Sequence, residues 1–92
     1  MNYTTRGDHD PATPGELNTR WSEVDAWRIV QSALTRDLVR LRQRTDKGED
    51  LGLVLATHEM ALALAGEKLA YANLAYYEVR DALDRQGHTH TH

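Results

Sequence analysis

The chain has no cysteine among its 92 residues, which excludes disulfides and thiolate metal sites and leaves the redox compartment without a mark on the sequence. It has no glycine-rich phosphate loop after a strand and no acid pair set in a recognisable cleft. With no thiol nucleophile either, catalysis finds no support, and neither a cofactor nor a small-molecule substrate is expected. The formal net charge of −3 argues against a generally nucleic-acid-binding surface. No positively charged start followed by an apolar segment precedes the first periodic stretch, so no cleavable signal peptide or membrane anchor is expected, and the expected location is the cytoplasm or a virion. The most apolar stretch, Leu51 to Ala65, contains Thr57, His58 and Glu59 and is only about fifteen residues long, short of the roughly 20 that cross a bilayer.

What the sequence does have is heptad periodicity. Leu55, Leu62, Leu69, Tyr76 and Leu83 recur every seven residues, and Leu51, His58, Ala65, Ala72 and Val79 fill the companion position. The two sets predict one seam of a helix over about 50–86 that packs along its whole length. A second stripe runs through Leu53, Met60, Leu64, Tyr71 and Leu74, and a third of smaller residues through Val54, Ala61, Ala75 and Ala82, broken by Lys68. One partner helix covers one seam, so the remaining stripes predict further partners.

An earlier amphipathic helix is predicted over about 14 or 22 to 46. Its face is Val24, Trp27, Val30, Leu34, Leu38 and Leu41, extended backwards by Leu17 and Trp21. Thr13-Pro14-Gly15-Glu16 reads as a capped start, and Ser22 with Asp25, preceded by Trp21, as a second start after a short irregular turn. Gly48 supplies the stop, with Arg44 and Lys47 in the last turn, and Asp50 or Glu49 the cap of the next helix. About five residues between the helices force an antiparallel hairpin. Antiparallel pairing sets Trp21 and Trp27 near Tyr76, Val79 and Leu83, as an aromatic part of the core. The second helix is expected to stop at Gly87.

The ends carry little patterning. Residues 1–12 (MNYTTRGDHDPA) lack apolar periodicity and read as an extended or disordered arm. The Arg6-Gly7-Asp8 tripeptide within them is too short to carry an adhesion role. The tail, His88, Thr89, His90, Thr91 and His92, alternates imidazoles in a pattern that weakly binds nickel, zinc or copper, although a free end of this kind is expected to have no ligand.

Two internal groups resemble sites. His58-Glu59 opens like a helical zinc motif, but the second histidine of that motif falls at Leu62, and no Glu-x-x-His pair of the di-iron type occurs. His58 therefore reads as a polar residue fixing register on the seam. Arg36, Arg40, Arg44 and Lys47, with Arg42 beside them, form a cationic stripe suited to phosphates. Its position near a helix C-terminus, and acids such as Glu67, Glu78, Asp81 and Asp84 elsewhere, suit solvation or salt bridges between subunits.

A helical hairpin of this size resembles the small Trp-Xaa-Gly proteins of type VII secretion, and Tyr77-Glu78-Val79-Arg80-Asp81 fits their Tyr-x-x-x-acid export signal. That resemblance implies a four-helix dimer and secretion. The defining tripeptide is missing: the turn reads Asp46-Lys47-Gly48-Glu49, with no Trp two places before Gly48.

The expectation is an all-α antiparallel two-helix hairpin, residues 13–87, that self-associates into a helical bundle. A chain this small buries on the order of 60 to 65 % of its unfolded surface, which makes a lone helix pair marginal and self-association the usual remedy. The expected function is a non-enzymatic interaction or structural subunit. Nine Arg against two Lys, with abundant Ala and Leu, is the usage of a GC-rich genome and suits a part of a larger assembly such as an actinobacterial phage particle. The alternatives are a secreted type VII-like partner and a nucleic-acid-binding regulator using Arg36, Arg40 and Arg44.

Overall fold

The computed structural model describes residues 11–90, the side chains of 88–90 excepted. Most of the arm, with Arg6-Gly7-Asp8, and the imidazoles of His88, His90 and His92 therefore lie outside the described residues. Two helices make up the fold, α1 from Pro14 to Asp46 and α2 from Gly52 to His90. The chain is an all-α helical hairpin.

Helix α1 begins where the capping pattern places it. Thr13 has extended backbone angles, its hydroxyl accepts from Glu16 N at 3.1 Å, and Pro14 takes the first helical position, where its missing N–H costs nothing. The second start at Ser22 is not used, and no irregular turn interrupts the helix. Ser22 Oγ instead donates to the Asn18 carbonyl one turn back, a local bond a helical serine makes without breaking the helix.

The turn is closed by a Schellman motif. Glu49 N donates to Arg44 O at 3.2 Å and Gly48 N to Thr45 O at 3.0 Å, with Gly48 at φ +99°. This left-handed position favours glycine because a Cβ would crowd the following carbonyl. The expected cap of α2 by Asp50 or Glu49 is not formed. Leu51 provides the carbonyl that accepts the first bond of the helix, from Leu55 N at 2.8 Å, and Glu49 is committed to Arg44 instead. Gly87 does not stop α2 either, since the helix runs on to His90. A single glycine costs a helix only about 1 kcal/mol relative to alanine, and no proline follows to enforce a stop.

Four contacts fix the antiparallel register: Ala12 with Gln86, Trp21 with Tyr76, Gln31 with Gly66, and Arg42 with Glu59. Trp27 lies between the second and third of these, so its level on α2 falls between Gly66 and Tyr76, short of the expected Val79 and Leu83. The aromatic group is Trp21 against Tyr76, centroids 5.3 Å apart and tilted by 56°, with Tyr77 edge-on to Tyr76. It belongs to the rim of the core, because Trp21 is 42 % exposed and Arg28 lies over its outer ring face at 5.3 Å.

The interior is narrow. Val24, Leu38 and Leu41 of α1 are buried, Trp27 and Leu34 partly so; on α2 the small residues Ala65, Ala72 and Val79 are buried, flanked by half-buried Leu55, Leu62, Leu69, Tyr76 and Leu83. The seam thus faces α1. At its open end Ala12 is packed with Val79 and Ala82. The Gln86 amide holds it on both sides, accepting from Ala12 N at 2.7 Å and donating to Ala12 O at 3.0 Å. This satisfies both backbone polar groups of Ala12, which burial would otherwise leave without water. The last residue assigned to the arm is therefore part of the folded unit.

Ala72→Leu should lower unfolding free energy by about 1 to 3 kcal/mol through overpacking, and Leu69→Ala should lower it by about 2 kcal/mol, the low end for a leucine deletion at a half-buried site. A gain in stability for Ala72→Leu in denaturant melts would mean that the seam is on another face. At the turn, Gly48→Ala should cost about 1 kcal/mol through its positive φ alone, since a Cβ there meets no atom within 4 Å. Gly52→Ala, equally unobstructed but without positive φ, should not destabilise.

Candidate interaction surface

Heptad spacing on α2 sorts the residues around the buried seam. Glu59 and Tyr76, which reach Arg42 and Trp21, flank one side of it. Leu53, Met60, Leu64, Tyr71 and Leu74 lie on the other side, and their exposure ranges from 53 % to 83 %. The second stripe of the sequence is thus turned to solvent, while the third grades from exposed Val54 through half-buried Ala61 and Ala75 to buried Ala82. Single exposed leucines are ordinary on protein surfaces; a row of large side chains on one face over several turns, here interrupted by Thr57 and Glu67, is a candidate interaction surface. On helix α1 the exposed large residues are Trp21, Ile29, Val30 and Val39, at no regular helical spacing; Val30, expected on the packed face, is thus turned out of it.

The molecule measures 67 × 28 × 15 Å. Its smallest dimension is close to the roughly 10 to 12 Å diameter of one helix with its side chains, so the hairpin is a single layer. Domains ordinarily bury their apolar faces between two layers.

His58 is half-buried on the seam, and its Nδ1 donates to the Val54 carbonyl at 3.1 Å. That bond fixes the ring against its own helix. Among the described residues no group of three or more His, Asp or Glu is placed to hold a metal ion, and no helix is long and apolar enough to cross a membrane.

The cationic stripe is divided by the fold. Arg44 forms a two-pronged bridge with Glu49, Nη2 to Oε1 at 2.8 Å and Nε to Oε2 at 3.0 Å. Arg42 reaches Glu59 across the hairpin at 3.1 Å, and Arg40 lies 3.9 Å from Asp37. Arg36 and Lys47 are exposed. Two of the five cations are thus held directly on carboxylates of the same chain. Near the other end, Pro14, Leu17, Asn18, Trp21 and Tyr76 line a shallow groove open to solvent; an amide, an indole and a phenol are the polar side-chain groups that line it.

The Arg44 guanidinium, mainly through its hydrogen bonds, holds the Glu49 carboxyl below its usual range; desolvation opposes this, and the Arg44 charge adds a lesser lowering. The same hydrogen bonds raise Arg44. A depressed carboxylate contributes stability above its unfolded value, near 4.5, and loses it as pH falls through the folded value. Thermal melts of wild type and Glu49→Gln should therefore differ at neutral pH and converge as pH drops below about 4. A constant difference down to the acid limit would show that the bridge is not formed in solution.

Comparison of the chain with protein-family models, with curated proteins and with solved structures gave no match, so the surface just described, rather than kinship, is what a functional reading rests on.

Proposed function

We propose that this protein is a non-enzymatic helical subunit that works by self-association, with a dimer of hairpins as its basic unit. The observation that carries the reading is the exposed row Leu53, Met60, Leu64, Tyr71 and Leu74 on a hairpin only one helix layer thick. Covering a large apolar side chain removes on the order of 1.5 to 3 kcal/mol of unfavourable hydration when burial is complete, so several in a row favour a second layer. The absence of cysteine and of recognisable catalytic motifs in the sequence, together with a groove lacking carboxylate and imidazole, supports a role in contacts rather than chemistry. A repeating part of a larger particle, such as a phage structure, is the setting such a subunit suits.

A second reading, a secreted helical-hairpin partner, is favoured by the exposure of Tyr77 and Asp81, one turn apart on α2. It requires the protein in culture medium and its loss from there in Tyr77→Ala.

Sedimentation equilibrium tests the main reading. The expected mass from micromolar to tens of micromolar protein is a multiple of the 10.4 kDa chain, with twice that mass as the basic unit. Leu64→Lys, which alters a half-exposed position and leaves the seam intact, should shift the population to monomer without loss of helicity. A fully helical wild-type monomer across that range would sink the proposal.

A further inference from the structure

Resting on the self-association reading, we propose that the second layer is another copy of this chain docked α2 against α2, antiparallel, with the two-fold axis level with Leu62. Within the matched segment five exposed side chains, Leu53, Val54, Met60, Leu64 and Tyr71, carry on the order of 400 Å² of apolar surface before the flanking alanines are added. That is about half of the roughly 800 Å² per partner of a standard interface. Ala56, Ala63 and Ala70, all exposed, form the adjoining row and present only methyl groups to an approaching helix.

Charge decides the direction. A parallel, in-register pair places Glu67 beside Glu67 and Glu78 beside Glu78 within the apolar stripe, two like-charge layers that oppose association. Among the described residues Glu67 has no ion-pair partner within its own chain to offset this. The antiparallel pair centred at Leu62 removes both conflicts. Met60 then faces Leu64 of the second copy, Leu53 faces Tyr71, and Glu67 faces Thr57 at the edge of the contact. Glu78 passes beyond the self-matched segment. Every large residue from Leu53 to Tyr71 in the stripe meets another large residue, and Ala63 lies beside its own copy next to the axis.

The lack of native cysteine makes the arrangement readable by disulfide trapping in the full chain, because a bond forms only between Cα atoms within about 7 Å. Ala63→Cys, at an exposed position, should form a covalent dimer with itself on mild oxidation. Leu53→Cys and Tyr71→Cys should each stay uncrosslinked alone and should link to each other when mixed, as read by non-reducing gel and mass spectrometry. Helicity and sedimentation of each variant before oxidation establish that it folds and associates as the wild type does. Self-linking of Leu53→Cys would overturn the antiparallel arrangement in favour of a parallel one. Variants that remain associated yet give no link would show that a different face is used, which overturns this inference and leaves self-association standing. A monomeric wild type would remove both.

Discussion

The narrow contact between the two helices is the constraint on which everything else depends. The buried residues of α2 are the small Ala65, Ala72, Val79 and Ala82, and those of α1 are Val24, Leu38 and Leu41, so the interior is a narrow strip between two helices. Val24 is the largest side chain that is fully buried. Such a core orders two long helices but encloses little volume, and the entropy of fixing a chain of this length is of the same order as the apolar burial that opposes it. Polar closures at both ends supplement the core. The Schellman turn with its Arg44–Glu49 bridge closes one end, and the Gln86 amide clasping Ala12 closes the other.

The same constraint explains why so much apolar surface is left outside. Helix α1 offers one buried row, and a single row covers only one sector of α2. The rotation of α2 that places its small residues inward necessarily carries Leu53, Met60, Leu64, Tyr71 and Leu74 outward. Had the larger stripe been turned inward, the helices would stand further apart and the alanine seam would lose its contacts. The buried small-residue seam and the exposed apolar face are thus two consequences of one rotation.

Much of this was legible in the residues. Thr13-Pro14-Gly15-Glu16 marked the start of α1 because a cap is a local bond between neighbours, and Gly48 marked the turn because a left-handed backbone favours one residue type. The places that misled were those where two local signals competed. Ser22 offers a cap, but within a helix already begun at Thr13 its hydroxyl is satisfied by the carbonyl one turn back. Glu49 and Asp50 are good caps for α2, yet the Arg44 guanidinium captures Glu49 with two bonds. No spacing rule in the sequence ranks a salt bridge across the turn above a cap.

By itself, then, the sequence determined two long helices, their boundaries on the turn side, and an antiparallel hairpin, because periodicity, caps and a short connection are all settled within a few residues along the chain. It also narrowed the seam to the leucine and alanine heptads, since only those run unbroken along the whole of α2. The tertiary structure decided what depends on residues distant in sequence: the level at which Trp21 meets Tyr76, the partner of Arg42, and the docking of Ala12 by Gln86. It also decided which stripe of α2 faces solvent. Unbroken heptads pick the seam, but whether a second stripe is also covered depends on how many helices the fold brings against α2, and this hairpin brings one.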